Sequence, residues 1–273
     1  MLAVNTAAAA AVVAAPMPGR VPALQVEGLG VRYGALVALD GVGWAVHPGE
    51  LLGIIGPNGA GKSTCYEATT ALVARQGRVR LAGRDVTDVP AHGLAALGLK
   101  RAFQQNAFFE DLSVLDNLVA VLGARAHAGL LGSVLRPLAA ARRRRAAQVF
   151  AAQQLLRFGI PTRYHALRPK ETPYGVQRLL SIALAFGDGA SVLLLDEPAA
   201  GLGGDDMERL VQLLLSLKQD GVALVVIEHH MDLIMAVADR ICVLDLGRRL
   251  AYCTPAQVRQ DPLVLEAYLG KPA

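Results

Sequence analysis

Nine consecutive residues, Gly56-Pro57-Asn58-Gly59-Ala60-Gly61-Lys62-Ser63-Thr64, carry the most specific chemistry in the chain. They match G-x-x-x-x-G-K-[ST] after the apolar run Leu51 to Ile55 and before helix-compatible residues, which is the context the pattern requires. Glycines let successive backbone N–H groups converge on phosphate oxygens, and the helix that follows presents its positive end to the same anion. Lys62 would neutralise β and γ phosphates. Ser63 would offer a hydroxyl to Mg²⁺, an ion that keeps most of its octahedral shell as water and phosphate oxygen. An ordinary glycine-rich turn does not account for the intact motif and its flanks.

A second group lies far along the chain. Ser191 to Leu195 is an apolar run that ends in Asp196 and Glu197, with Pro198 closing it. Strand alternation points adjacent side chains in different directions, so the two carboxylates cannot share one role. Asp196 fits a Mg²⁺ site through water, and Glu197 is placed to polarise an attacking water as general base. Alone, the segment also reads as two solvent-exposed carboxylates at a strand end; beside the phosphate loop it does not. His229 follows the apolar run Val222 to Ile227, at the strand edge where open α/β proteins place ligand groups, and could touch a γ-phosphate. Taken singly it reads as a surface histidine, as does His230.

The elements that must position these groups are legible in outline. Val21 to about Trp44 is β-like, with Leu24, Val26, Leu29, Val31 and Tyr33 spaced mostly by two, as in a half-buried antiparallel edge. The runs 51–55, 191–195 and 222–227 read as strands buried on both faces. Between the last two, Met207, Leu210, Val211, Leu214 and Leu217 follow helical spacing, on a helix that Asp205 or Asp206 could cap. Strand, helix, strand in that order predicts an α/β fold with a parallel sheet. From about 105 to 187 helical patterns dominate, as in a helical subdomain inserted into the body. Within it Ser113-Val114-Leu115-Asp116 has the form of a capping box that starts a helix at Val114.

Bulk properties narrow the setting. Hydrophobic residues make up 53% of 273 and charged residues 18%, and the mean hydropathy is +0.37. No stretch reaches the ~18 apolar residues of a membrane span, so any membrane contact is expected to be peripheral. Residues 1–22 read as an Ala-rich disordered extension, and the lack of a basic residue before their apolar run disfavours a signal peptide. Cys65, Cys242 and Cys253 match neither a disulfide framework nor a zinc site, which suits a reducing cytoplasm. The net charge of +4 suits anionic partners without choosing among them.

These motifs, together and in this order, resemble the ABC ATPases, and specifically the ATP-binding subunits of branched-chain amino-acid importers. The resemblance covers roughly Leu24 to Gly270, making 23–273 one nucleotide-binding domain: a phosphate-loop NTPase with a RecA-like mixed or parallel core, an antiparallel β edge and the helical insertion. Its branch-specific parts are Val37-Ala38-Leu39-Asp40-Gly41, Phe103-Gln104, Leu112 to Asn117, Asp196-Glu197-Pro198-Ala199-Ala200-Gly201-Leu202 and Glu266-Ala267-Tyr268-Leu269-Gly270. The resemblance implies ATP and Mg²⁺ as ligands, Tyr33 stacked on adenine, Gln104 linking Mg²⁺ and water to the insertion, and His229 as the switch histidine. As bare features, Tyr33 is an ordinary strand aromatic and Gln104 polar surface. It further implies membrane subunits whose cytoplasmic helix meets the insertion, a second ATPase chain, and indirectly a periplasmic binding protein, at the cytoplasmic face of the inner membrane. The solute would be a branched-chain amino acid or a related small molecule such as urea. No nucleic acid is expected.

One departure matters. ABC ATPases normally carry L-S-G-G-Q or, in this branch, L-S-Y-G-Q, whose serine and a glycine N–H reach the partner chain's γ-phosphate; here the segment is Thr172-Pro173-Tyr174-Gly175-Val176. Proline removes a hydroxyl and a backbone donor together, and each lost bond to a charged group weakens the contact by roughly 1.5 to 3 kcal/mol. Thr172 as N-cap with Pro173 first in the helix would still start it well, and Gly175 would keep what contact remains. Leu184 also stands where the branch usually has arginine. Unequal sites predict a heterodimer, with a homodimer as the alternative. Arg142 to Arg145 spread around a helix and read as a solvated helix end, with lipid headgroups as the other reading. Two rival functions complete the set: a soluble ATPase of this superfamily acting on nucleic acid or ribosomes, and an ATP clamp without turnover. The first would bring a second cassette or a long coiled-coil insertion, neither of which is visible. The second sits poorly with intact Lys62, Asp196, Glu197 and His229.

Overall fold

Three short runs whose apolar residues are buried consecutively, rather than at alternate positions, build the centre of the fold. A computed structural model describes residues 20–102, 107–123 and 137–269. In chain order these contain β1 (Leu24–Tyr33), β2 (Leu36–Val46), β3 (Leu51–Ile55), α1 (Lys62–Thr69), β4 (Gln76–Leu81), β5 (Arg84–Asp85), α2 (Ala91–Ala96) and β6 (Leu99–Ala102). Then follow α3 (Val114–Gly123), α4 (Pro137–Arg157), α5 (Tyr174–Phe186), β7 (Val192–Asp196), α6 (Gly204–Gln219) and β8 (Ala223–Ile227). The chain closes with α7 (Met231–Val237), β9 (Arg240–Asp245), β10 (Arg248–Cys253), α8 (Pro255–Val258) and α9 (Pro262–Leu269). Residues 1–19 and Gln104 lie outside the described residues.

The main sheet has the order β10-β9-β3-β8-β7-β6, parallel except for the β9–β10 hairpin. Its central strands alternate between two cores. Leu51, Ile55, Leu193, Leu195, Leu224 and Val226 share one core with α3 to α7, while Leu52, Ile54, Val192, Leu194, Val225 and Ile227 share the other with α1 and a second sheet. That second sheet is antiparallel, in the order β2-β1-β4-β5. Its β1–β2 hairpin is the expected edge; β4 and β5 extend it through segments whose charged residues hide any strand pattern. Between β6 and β7 the described residues carry α3, α4, α5 and two short 3-10 turns, and no strand.

Helix starts follow local chemistry, with two differences from the sequence reading. Ser113 Oγ accepts the Asp116 N–H at 3.0 Å and donates to its carboxylate at 2.7 Å, so α3 begins at Val114 as expected. Helix α6 is capped by Gly203, not by Asp205 or Asp206. Both aspartates fall in the first turn, where they oppose the positive end of the helix dipole. Helix α5 begins at Tyr174, with Pro173 in the N-cap position at ψ 151°. Thr172 therefore does not cap it; its hydroxyl turns back to donate to Pro169 O at 2.7 Å. Arg142, Arg144 and Arg145 are exposed on α4, in keeping with a solvated helix.

Helix α6 buries Leu210, Leu213, Leu214 and Leu217 against the sheet. Truncating Leu214 to Ala is therefore expected to cost about 2–5 kcal/mol of stability, and truncating the half-buried Leu215 clearly less, as read from denaturant unfolding of both variants.

Candidate functional site

Parallel order decides where the chemistry gathers. Strands β3, β8 and β7 are successive neighbours, so the loops that leave their C-terminal ends lie side by side: the phosphate loop, the His229 loop and the Asp196–Glu197 turn. This is the edge at which open α/β sheets bind ligands.

The phosphate loop is shaped by close approach. A Cβ on Gly56, at φ 157°, would lie 2.2 Å from the carbonyl oxygen of Leu244. Ala60 N–H donates to Pro57 O at 3.1 Å and Gly247 N–H donates to Ala60 O at 3.1 Å, pinning the loop to the β9–β10 turn. Asp40 of β2 donates its N–H to Gly247 O at 2.8 Å, so the β1–β2 hairpin is tied to the same point. Tyr33, at the end of β1, keeps a half-exposed ring on that hairpin. Helix α1 starts directly after Gly61, with no acidic side chain in its first turn to neutralise its positive end. Asn58, Gly59 and Ser63 are exposed at the loop's mouth, and Thr64 is half-buried.

Lys62 is buried and donates to Gly56 O at 2.7 Å and Pro57 O at 3.0 Å, which uses two of its three protons. Burial pulls its ammonium below the ordinary lysine range, and the nearby Glu197 and Asp196 oppose that pull. Asp196 is pushed up to about 6, by burial first and by Glu197 next, with Arg178 opposing and Glu228 and Glu67 adding to the rise. The edge thus holds an excess of carboxylate, a donor set that a hard divalent cation fits; Asp196 and Ser63 are the residues that could hold one.

Glu197 occupies the left-handed region at φ 45°, a conformation that costs a residue with a side chain roughly 1–2 kcal/mol. The surroundings impose it. Its N–H donates to Ile227 O at 2.9 Å. Arg178 of α5, 2% exposed, donates to the carbonyls of Glu197, of Pro198 at 3.0 Å and of Asp196 at 3.4 Å. The result sets Glu197 Oε1 3.5 Å from His229 Nδ1, while the His230 ring packs against His229 with centroids 4.2 Å apart and planes tilted by 38°.

The structure therefore brings Lys62, Asp196, Glu197 and His229 together. It places Gly175 elsewhere, at the start of α5, where a Cβ would meet the carboxylate of Asp206 at 2.2 to 2.6 Å. Gln104 falls outside the described residues. Among the buried charged residues that escaped the sequence reading, Arg178 and Glu228 lie at this edge. Arg178 was discernible only as a charge among the apolar residues of α5, and Glu228 only as an acid ending an apolar strand.

A phosphate loop opposite a carboxylate pair, at one edge of a parallel sheet, defines a phosphate-loop NTPase. Residues 39–200 match the family described as ABC transporter, and residues 254–273 match the branched-chain amino acid ATP-binding cassette transporter family. The chain belongs to the ABC transporter ATP-binding family and is an ATPase of that class. It is 34% identical over 252 residues to the high-affinity branched-chain amino acid transport ATP-binding protein BraF of Pseudomonas aeruginosa, spanning 92% of this chain and 98% of that one. It is 35% identical over 253 residues to the corresponding protein LivG of Escherichia coli, with the same coverage. A solved nucleotide-free ATP-binding cassette from an ABC transporter superposes with a TM-score of 0.77 at 25% identity, covering 92% of this chain and 100% of that one.

Gly56→Ala places a methyl group against an immovable backbone oxygen and is expected to lower ATP affinity at least ~10-fold by calorimetry. Gly59→Ala, whose Cβ would meet nothing within 4 Å, is expected to add only the backbone strain of about 1–2 kcal/mol.

Proposed function

We propose that this chain powers the import of branched-chain amino acids, bound at the cytoplasmic face of the inner membrane to subunits that form the path. The observation that carries the reading is the convergence of Lys62, Asp196, Glu197 and His229 on one sheet edge, the set a phosphoanhydride hydrolysis needs. The solute class rests on the tail match at 254–273 and on the names of the two relatives. Among the described residues no helix is long and apolar enough to cross a membrane; in this reading the path for solute belongs to the membrane subunits.

In this mechanism backbone N–H groups of the Gly56–Thr64 loop other than Pro57, which has none, and Ala60, which donates to Pro57 O, hold the β and γ phosphates with the ammonium of Lys62, and Tyr33 stacks on adenine. Ser63 and Asp196, with Gln104, would hold Mg²⁺ partly through water, and the charge it would supply there would offset that of the phosphates. Glu197 takes a proton from the attacking water, and His229, beside it, contacts the γ-phosphate and registers its loss. The domain comprises 23–273 with the helical subdomain at about 105–187. A cavity of about 380 Å³ opens where this subdomain meets the body, lined by Leu94, Lys100, Arg101, Val121 and Leu184. It is the place proposed for the helix from a membrane subunit.

The dimer would be unequal. Pro173 is exposed at the head of α5 with neither hydroxyl nor N–H to offer, and the Asp206 carboxylate lies against Gly175. A partner chain with an intact signature would then complete the site built on this chain's phosphate loop. ATPase activity is expected to rise at least ~10-fold when such a partner is added to the isolated chain; full turnover by the chain alone would contradict the asymmetry.

Glu197→Gln keeps the shape and loses the base, so kcat is expected to fall about 10²–10⁴-fold with ATP binding retained. Burial and Glu197 raise Asp196 to about 6 in the cation-free site, so protons compete with the cation for it as pH falls toward that value. Mg²⁺-dependent turnover is therefore expected to decline as pH drops through about 6, while Mg²⁺-independent nucleotide binding, followed in the same buffers by fluorescence, holds steady.

A further inference from the structure

Glu228 follows β8 directly, and its residue has no exposed surface. Its two carboxylate oxygens reach two different loops. Oε1 accepts the N–H of Ala199 at 2.8 Å, in the turn that follows Glu197. Oε2 accepts the N–H groups of His229 at 3.0 Å and His230 at 3.1 Å, and lies 3.0 Å from His230 Nδ1.

Burying a carboxylate is costly unless its lone pairs are satisfied, and here backbone amides from both loops satisfy them. Hydrogen bonds to an ionised acceptor are roughly twice as strong as neutral ones, so the link between the loops is firm. The two loops carry Glu197 and His229, whose Oε1 and Nδ1 lie 3.5 Å apart. Glu197 already needs external restraint to hold its left-handed backbone. Arg178 supplies it at the carbonyls of residues 196 to 198 and Ile227 at the Glu197 amide. Neither of them connects this turn to the His229 loop through that loop's own amides. Glu228 alone among these three does.

We infer that Glu228 is a positioning residue for ATP hydrolysis: one buried carboxylate, spanning Ala199 and the His229–His230 amides, sets the separation between Glu197 and His229. The inference rests on the roles given above to those two residues, and Glu228 acts through them rather than on the nucleotide. Its chemistry demands a carboxylate of this length. An amide of the same shape has one acceptor oxygen, so it can hold one loop only and turns an N–H group toward the donors of the other. Aspartate keeps both oxygens but is one methylene too short to span the gap.

The test is steady-state ATPase kinetics and thermal melting of Glu228→Gln, assembled with the partner subunits where these are needed for turnover. The expected result is a fall in kcat of at least ~10-fold, with KM for ATP within about 2-fold of the parent and cooperative unfolding retained at a melting temperature lowered by the lost hydrogen bonds. Glu228→Asp should show the same split and carries the test if the Gln variant does not fold. Parent-like kcat in either folded variant overturns the inference. So does a loss of kcat matched by an equal loss of ATP binding, which marks a purely structural acid. Glu197→Gln, run alongside, separates the two levels. If it abolishes turnover while Glu228→Gln is fully active, only the role of Glu228 fails; if it is itself fully active, the reading of the site fails.

Discussion

Negative charge held out of water at the end of a parallel sheet is the constraint around which this molecule is arranged. Asp196, Glu197 and Glu228 all lie where β7 and β8 end, and Asp196 rises to about 6 in response. Like charges gathered in this way are tolerated only with compensation. The protein supplies it with Lys62 from the phosphate loop, Arg178 from α5 and backbone amides around Glu228. What the protein does not neutralise, a cation bound with the substrate phosphates is suited to neutralise. A site poised this way binds a polyanion with its metal more readily than a polyanion alone.

The same arrangement links distant pieces of chain. Arg178 lies on the helix that begins with the altered signature, and it grips the carbonyls behind the carboxylate pair. A shift of α5 against the sheet would therefore be felt at Glu197. At its other end α5 is held by Lys100, which donates to Phe186 O at 2.7 Å and to Asp188 at 2.8 Å. Lys100 lies in β6, just ahead of the segment that contains Gln104. The helix thus runs from a surface expected to face a second chain to the strand that leads into the proposed membrane-subunit groove, and passes the carboxylates on the way.

How much of this the sequence disclosed depended on whether a group's role is local. The phosphate loop and the Asp196–Glu197 pair were legible because each is a contiguous motif whose flanks reveal strand and helix. The α/β core was legible because strands buried on both faces read as unbroken apolar runs. Glu228 and Arg178 were not, because Arg178 acts on carbonyls 18 or more positions away and Glu228 ties its own neighbours to Ala199, 29 positions away, which only the fold brings near. Strands β4 and β5 were missed for a related reason: Gln76, Arg78 and Arg80 interrupt the apolar pattern while Val79 and Leu81 alone face the core. The helix starts at 174 and 204 differed from expectation because backbone geometry outweighed side-chain preference there. Gly203 adopts the extended cap conformation before α6, and Pro173 takes the cap position before α5 because its ψ of 151° is not helical.

The most direct test of this account is a crystal structure of the Glu197→Gln chain soaked with ATP and Mg²⁺. The account predicts a triphosphate lying in the Gly56–Thr64 loop, the Lys62 ammonium on its β and γ oxygens, and a metal between those oxygens, Ser63 and Asp196. Nucleotide bound elsewhere on the chain, or Lys62 still engaged only by the carbonyls of Gly56 and Pro57, would contradict it.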